Sequence, residues 1–551
     1  MFRHLIVLYA TCVCFALSNN FGPKYPPTKG AVWPKPKYQK TESSYYTLNP
    51  HNFNTSFTGQ MCDIISEALE RYAFLMRDFR RVERRFNKRN SRFRRNNASV
   101  NNEHCLGQIS RMEIHVQTPC TDNIYPYYGM DESYNVSVTD RIIKVKSYTV
   151  WGFLRSLETY TQLFYWSDDE SVINKTEIQD APRYLHRGLL IDTSRHYISV
   201  GNILKTLDAM AMNKMNVLHW HIVDDQSFPY QSEKFPDLSR LGAYHRSLVY
   251  TKENINTILN YATYRAIRVI PEFDVPGHTR SWGEAYPNIL SGCYENGVFK
   301  DFGPMNPIAN VTYKLLHELF EEVQELFPDK HFHVGGDEVD LNCWYWISVN
   351  TDPSLIDYMK RHNITSPSKL HALFMENVIP LLGNRSIPIV WQEVFDEGVP
   401  LNNGTLVQVW KGGEVYEMIS ILSAGHQIIY SSAWYLDHLK TGGDWEGFYK
   451  ADPRQLVRHY GGHSFDVQNI VGGEACMWGE TVDDNNIISR VWPRASAVAE
   501  KLWSPELPFQ EIPPEVYHRL EEHTCRMNLR GIRAQPPSGP GVCVETGNFT
   551  A

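Results

Sequence analysis

From residue 187 onward, short apolar runs alternate with longer stretches in which apolar residues recur every three to four positions, the pattern of strands separated by amphipathic helices. Eight runs read as strands: 189–191, 217–223, 268–273, 332–334, 388–391, 406–410, 427–430 and 470–473. Each leads into residues suited to a pocket: Asp192 and Arg195, Asp224, Asp274 and His278, Asp337, Trp391, Trp410, Tyr435 and Trp478. Between them, stretches such as 203–215 and 315–327 carry an apolar helical stripe, the second through Leu315, Leu316, Leu319, Val323 and Leu326. Eight such units predict an α/β fold, a (β/α)8 TIM barrel, with the active site at the C-terminal ends of its strands. The rival, a doubly wound open sheet, lacks a phosphate-binding glycine fingerprint after the first strand.

Upstream the periodicity is mixed and predicts a small α+β domain. Ile64, Ile65, Ala68 and Leu69 have helical spacing within 62–72, and 112–116 reads as a strand. Tyr134, Val136 and Val138 alternate, the chain turns at Asp140 and alternation resumes over 142–145, a hairpin; 150–164 reads as a helix covering the sheet. Before this lies a Pro- and Lys-rich extended stretch at 23–40, and before that Arg3, His4, an apolar run over 5–17 and then Ser18, Asn19 and Asn20, the pattern of a cleaved secretory signal. The division predicted is a signal peptide at 1–18, an α+β domain at 19–180 and a barrel with a C-terminal extension at 181–551. No later segment has the length of uninterrupted apolar sequence, about 18 residues, that a bilayer-spanning helix needs. A basic run, Arg80, Arg81, Arg84, Arg85, Lys88, Arg89, Arg92, Arg94 and Arg95, reads as a solvated loop, with a polyanion patch or a protease-nicked segment as the functional alternatives.

A chain of 551 residues with a formal charge of −8 is long enough for two or three domains and ill suited to nucleic acid. Aromatics reach 13%, which favours packing and also stacking on sugar faces. Beyond Cys12 and Cys14 in the signal, the cysteines are Cys62, Cys105, Cys120, Cys293, Cys343, Cys476, Cys525 and Cys543; none has metal-site spacing, so disulfides are expected rather than zinc. Glycosylation sequons stand at Asn54, Asn97, Asn135, Asn174, Asn310, Asn363, Asn384, Asn403 and Asn548.

The most telling string is His333-Val-Gly-Gly-Asp337-Glu338, in which two adjacent carboxylates follow a short apolar strand across two glycines. Neighbouring acids repel, and such a pair is useful where surroundings split their proton affinities. One then donates a proton while the other stays ionised and stabilises positive charge, as glycosidic cleavage requires.

The stretches HRGLLIDTSRHY (186–197), NKMNVLHWHIVDDQSFPY (213–230), PEFDVPGHT (271–279), HVGGDEVDLNCW (333–344), VWQEVFD (390–396), VQVW (407–410), WYLD (434–437) and GGEACMWGETVD (472–483) closely resemble the animal, lysosomal-type β-N-acetylhexosaminidases of glycoside hydrolase family 20. The resemblance covers nearly the whole chain after the signal. It implies a retaining exo-enzyme that removes terminal non-reducing GlcNAc or GalNAc from N-glycans, glycolipids and chito-oligosaccharides, with no cofactor and no metal. It implies substrate assistance, in which the sugar's own 2-acetamido oxygen attacks the anomeric carbon and forms an oxazolinium. Glu338 is then the acid and base, and Asp337 orients the acetamido group and stabilises its charge. Tyr435 hydrogen-bonds the acetamido oxygen, Trp391, Trp410 and Trp478 wall its methyl, and Arg195, Asp437 and Glu480 hold ring hydroxyls. Asp224 and His278 tune the acid.

By the same resemblance, Cys62 pairs with Cys120, Cys293 with Cys343 and Cys525 with Cys543, Cys476 is a buried free thiol, and Cys105 has no counterpart. A lysosomal or secreted homodimer is implied, without stable membrane insertion. Family members that accept acidic sugars carry Asn-Arg where this chain has Asp437-His438, so neutral substrates are expected. The stretch at 276–283 also differs from that of the insect chitin-degrading members. Two other readings remain open from the residues: a retaining glycosidase with a protein nucleophile, and a secreted glycan-binding protein on an inactive barrel.

Overall fold

The computed structural model describes residues 28–48, 54–90, 104–121, 124–167, 170–296, 298–344, 352–438, 443–462 and 465–538, with side chains left out at 77–90 and 166–167. The signal at 1–18, Cys543 and two sequons, Asn97 and Asn548, lie outside these residues.

The first unit is a mixed sheet in the order β2-β4-β6-β5-β8-β1-β3, with β7 paired to β8. Its strands are β1 (Tyr38–Leu48), β2 (Asn54–Thr58), β3 (Cys105–Ile109), β4 (Arg111–Val116), β5 (Tyr134–Thr139), β6 (Ile142–Ser147), β7 (Phe164–Ser167) and β8 (Glu170–Asp180). The predicted hairpin is β5 against β6, antiparallel from Tyr134↔Ser147 to Thr139↔Ile142. Helices Asp63–Asn90 and Val150–Gln162 supply Ile65, Ala68, Phe153 and Leu157 to one core with Ile114, Val136, Val138, Ile143 and Val145. The first helix continues past the predicted 62–72 to Asn90, so the front of the basic run is helical rather than a loop; residues 91–95 lie outside the described chain. Strong helix formers, Arg, Glu and Lys, fill that extension without any Pro or Gly. Strands β1, β2, β3, β7 and β8 have weak alternation and were not legible beforehand.

Every residue of Val150–Gln162 is buried, because the helix lies between this sheet and the second unit. Charged groups cross that boundary in pairs. Lys214 Nζ, fully buried, lies 3.1 Å from Asp180 Oδ2 and 2.8 Å from the Tyr134 hydroxyl, over the Trp503 ring. Arg187 of the barrel reaches Glu132 of the first unit at 2.6 Å, where Arg155 of the first unit also meets it at 2.9 Å.

The second unit is a closed parallel barrel, β9 (His186–Asp192), β10 (Val217–Val223), β11 (Arg268–Phe273), β14 (His331–His333), β15 (Ile387–Trp391), β16 (Leu406–Val409), β17 (Gln427–Tyr430) and β18 (Ile470–Met477). An excursion after β11 carries a separate hairpin, β12 (Leu290–Glu295) and β13 (Val298–Met305). All eight predicted strands are present, and closure excludes the open-sheet rival. The helices foreseen at 203–215 and 315–327 run Val200–Met212 and Asn310–Leu326, the first capped by the Ser199 side chain accepting from Asn202 N–H.

Alternation along the strands stacks the barrel interior in layers. The lowest is aliphatic, with Val217, Ile270, Ile389, Leu406, Ile429 and Val471. It is closed from below by the first unit, whose Tyr125 hydroxyl accepts from Val269 N–H at 2.8 Å and whose Tyr128 rests against His331. Two residues further along four of these strands the interior turns polar, with His219, Glu272, Trp391 and Gln408, joined by Glu474 three residues past Val471, all buried.

Disulfides join Cys62 to Cys120 and Cys293 to Cys343, while Cys105 and the buried Cys476 are free. Cys525 is disulfide-bonded. Six of the sequon asparagines, Asn54, Asn135, Asn310, Asn363, Asn384 and Asn403, are exposed, and Asn174 is half-buried beneath the Tyr165 hydroxyl. Among the described residues no helix is long and apolar enough to cross a membrane.

Candidate active site

Every predicted site residue falls at the C-terminal end of a barrel strand. The acid pair follows β14 through Gly335 at φ 69° and Gly336 at φ 104°, and Glu338 itself has φ 47°. A Cβ on Gly335 would stand 1.6 Å from Asp274 Oδ1, and one on Gly336 2.3 Å from Val394 Cγ2. The glycines therefore allow a turn that no other residue could make in this space. It sends the two acids different ways: Asp337 is buried, with Oδ1 lacking a partner among the described residues, whereas the Glu338 side chain is 57% exposed.

His278, also left-handed at φ 55°, stands over the pair, its Nε2 3.8 Å from Glu338 Oε2, 3.8 Å from Asp337 Oδ2 and 3.9 Å from Asp274 Oδ2. Such φ values in non-glycine residues concentrate where surroundings impose them at working sites. His278 Nδ1 is 3.1 Å from Asp224 Oδ1; Asp224 Oδ2 in turn lies 2.9 Å from Arg195 Nη2 and 2.8 Å from His221 Nε2. Arg195 also grips Asp192 at 3.0 Å and lies over the Trp478 ring.

Burial alone would strip His278 of its proton, but Asp224, Asp274 and Asp337 outweigh it and hold the imidazole well above its usual range. Burial, reinforced by the Asp337 charge, keeps Asp274 well above the usual carboxylate range, and the two side chains share a hydrogen bond.

Opposite, Trp391, Trp410, Tyr435 and Trp478 gather around Leu190 and Cys476. Trp391 lies 6.0 Å from Trp478 and 6.5 Å from Trp410 between ring centroids, and Trp410 stacks on Tyr435 at 6.0 Å. Two indoles are fixed by carboxylates: Trp391 Nε1 donates to Glu272 Oε1 at 2.8 Å and Trp410 Nε1 to Glu393 Oε2 at 3.0 Å. Burial, then the nearby Cys476 and Asp337, holds the Tyr435 hydroxyl well above its usual range, so it stays a donor. Asp437 is half-buried at the rim, and burial raises its carboxyl. Exposed Glu480 belongs to the same rim, its charge acting on both Asp437 and Arg195.

His219, Glu272 and His333 are buried with possible ligand atoms within 4.8 Å of one another. The Glu272 oxygens are hydrogen-bonded to His221 Nδ1 and the Trp391 indole, while His219 Nε2 and His333 Nε2 have no hydrogen-bond partner among the described residues. His221, His219, Glu272, His333, Glu393 and Glu474 were not singled out from the sequence. Their signal was present: charged or imidazole side chains at alternate positions inside otherwise apolar strands, as in VLHWHIV (217–223) and RVIPEF (268–273).

The family described as "Glycosyl hydrolase family 20, catalytic domain" matches residues 184–506, and "beta-acetyl hexosaminidase like" matches 32–163. The chain belongs to glycoside hydrolase family 20. It is 43% identical to the beta-hexosaminidase subunit beta of Felis catus over 92% of each chain, and 42% identical to that of Homo sapiens over 92% of this chain and 88% of that one. Identity to the subunit alpha of Mus musculus is 39% over 94% of this chain and 95% of that one. Among solved structures, the chitobiase of Flavobacterium johnsoniae superposes with a TM-score of 0.72 at 29% identity, over 92% of this chain and 73% of that one. The protein is accordingly a hydrolase of the β-hexosaminidase type, and no observation favours a purely glycan-binding role.

Proposed function

We propose that this family 20 enzyme is a retaining exo-β-N-acetylhexosaminidase that releases terminal GlcNAc and GalNAc with the substrate's own acetamido group as nucleophile. One observation carries the reading: the buried Asp337 Oδ1, an acceptor left free, sits where its charge reaches Tyr435 in the aromatic enclosure. An acetamido group laid there has its N–H toward Asp337, its carbonyl oxygen toward the Tyr435 hydroxyl and its methyl among Trp391, Trp410 and Trp478. Held so, the carbonyl oxygen bonds to the anomeric carbon as the glycosidic C–O bond breaks, and Glu338 gives its proton to the departing oxygen. Asp337, ionised, stabilises the resulting oxazolinium. Water then attacks the anomeric carbon, its proton passes to Glu338 and the acetamide is restored, so two inversions give retention. A protein nucleophile is unnecessary in this scheme.

Arg195, fixed by Asp192 and Asp224, presents its guanidinium to ring hydroxyls, with Asp437 and Glu480 as acceptors at the rim. Asp437 also opposes a sulfate at C6, which favours neutral sugars. Disulfides and exposed sequons support a lysosomal or secreted enzyme on N-glycans, glycolipids or chito-oligosaccharides. Relatives named as subunits support the proposed homodimer, which sedimentation would read as twice the mass of the processed, glycosylated chain.

The assignment is tested with a chromogenic β-GlcNAc glycoside at mildly acidic pH. Wild type turns it over, and Glu338→Gln is slower by about 10² to 10⁴; turnover by the variant at the wild-type rate removes Glu338 as the acid.

A further inference from the structure

The proposed mechanism leaves unused a buried carboxylate, Glu272, that is linked to Asp224 and His278 through His221. Glu272 is the penultimate residue of β11, fully buried, in a strand otherwise apolar apart from its first residue. Its Oε2 lies 2.6 Å from His221 Nδ1 and 3.0 Å from His219 Nε2, while its Oε1 accepts from Trp391 Nε1 at 2.8 Å and lies 3.1 Å from His333 Nδ1. Of these contacts, the hydrogen bonds from His221 and Trp391 hold it from β10 and β15, while His333 Nδ1 itself accepts from Gly335 N–H at 3.0 Å.

We propose that Glu272 is a positioning residue for the hydrolytic reaction, the anchored inner end of a chain Glu272–His221–Asp224–His278 that aims His278 at Glu338. The contacts are continuous: 2.6 Å from Glu272 to His221, 2.8 Å from His221 to Asp224, 3.1 Å from Asp224 to His278, and 3.8 Å from His278 to Glu338. The members alternate in charge. Burial works against protonation of His221, but Glu272 and Asp224 outweigh it and push the imidazole up to about 10. Burial likewise favours neutral Glu272, yet His333, His221 and His219 hold it well below the usual carboxylate range. A cation fixed between two anions cannot rotate without leaving one of them unpaired in the barrel interior, which is costly. The ring of His221 is further held edge-on to Trp478 at 4.9 Å.

Through Trp391 the same carboxylate grips a wall of the proposed acetamido enclosure. One rigid group thus ties the acid's support to the nucleophile's seat, across strands that share no sequence proximity. Behind it, His219 Nδ1 rests 2.7 Å from Glu474 Oε2, and Glu474 also takes His186 at 2.6 Å and the Gln408 amide at 3.0 Å. These contacts fix His219, whose Nε2 lies 3.0 Å from Glu272 Oε2.

The inference rests on Glu338 being the acid, and the experiment separates the two claims. Two substrates are compared by kcat/KM: chitobiose, whose sugar leaving group needs a proton, and 2,4-dinitrophenyl N-acetyl-β-glucosaminide, whose leaving group does not. Glu272→Gln, which keeps shape and loses charge, is expected to slow chitobiose by about tenfold to a hundredfold, part of what a positioned acid contributes. The activated substrate should fall by less than about threefold, because a poorly aimed acid costs nothing where no proton is required and the amide oxygen of the variant still accepts from Trp391 Nε1. Equal losses on both substrates, or no loss on chitobiose, overturn the proposal, since damage to the fold or to the acetamido seat acts on both alike. Should Glu272→Gln not accumulate, Glu272→Asp keeps the charge, withdraws the oxygens by one methylene and is expected to show the same split to a smaller degree. Glu338→Gln runs in parallel: its lack of a split sinks the acid assignment, whereas a split there without one in Glu272→Gln sinks the positioning role alone.

Discussion

Gly335→Ala tests whether the acid pair is placed by backbone geometry rather than by side-chain contacts. The added Cβ would lie 1.6 Å from Asp274 Oδ1 and 2.7 Å from Asp274 Cα, and real Cβ atoms essentially never come within 3.0 Å, so the carboxylate must retreat by about 1.4 Å and the Asp274 backbone must shift as well. That retreat pulls against the 2.8 Å hydrogen bond from Gly336 N–H to Asp274 Oδ1 and disturbs the hydrogen bond between Asp274 and Asp337. Losing one such bond costs about 1 kcal/mol, and alanine at a left-handed φ costs about 1 to 2 more. The fold should survive a total of about 3 kcal/mol, because a domain of this kind has about 5 to 15 in reserve. Activity should not: displacement of a reacting group by about 1 Å can cost 10²-fold. The control is Gly413→Ala, in the left-handed region at φ 81° and ψ 16° with no atom within 4 Å of the added Cβ, which carries a left-handed backbone penalty without the collision. Chemical denaturation and kcat are measured on both. Activity of Gly335→Ala equal to that of Gly413→Ala would refute placement by backbone geometry.

The charge chain also sets how stability varies with pH. His221 and His219 are pushed up from 6.5 to about 10 and about 9, in each case by carboxylates that overcome burial. A raised folded-state value means stabilisation that is complete below about 6.5 and disappears as pH climbs through 9 to 10. The urea midpoint should decline across that window and decline less in His221→Gln; a flat wild-type curve contradicts the charge assignment. At the boundary between the two units, Lys214→Met leaves Asp180 without its buried cation, and breaking such a pair costs about 3 to 5 kcal/mol. The lower end is expected, because Trp503 Nε1, the Tyr134 hydroxyl and the N–H groups of Lys37 and Ala181 still reach that carboxylate. A loss under about 1 kcal/mol in equilibrium unfolding would show the pair to be replaceable by packing alone.

The barrel was readable because its strands are buried on both faces and so appear as unbroken apolar runs between helical stripes. The pocket-forming ends followed, since in that topology residues just past each strand converge. Glu338 and Asp337 stood out by their glycines, and Trp391, Trp410, Tyr435 and Trp478 by resemblance. Glu272, His221 and Glu474 were harder to see. A single acidic or imidazole residue inside a short strand has no local partner, and its carboxylate–imidazole contacts come from strands tens to hundreds of residues away, as His186 with Glu474 shows. The first unit was only partly legible for a similar reason. Strands β1 and β8 are long, polar on one face and paired across more than a hundred residues, so neither alternation nor a turn marks them. The helix through the basic run was missed because charge density suggested a loop, whereas the propensities of Arg, Glu and Lys favour helix.

Substrate assistance is the claim on which the chemistry turns, and replacing the 2-acetamido group by hydroxyl in an otherwise identical aryl β-glycoside addresses it directly. A well-held intramolecular nucleophile is worth about 7 to 11 kcal/mol, so kcat/KM for the hydroxyl analogue should fall by more than about 10⁴. Cleavage of that analogue at a rate near that of the N-acetyl substrate would contradict the account.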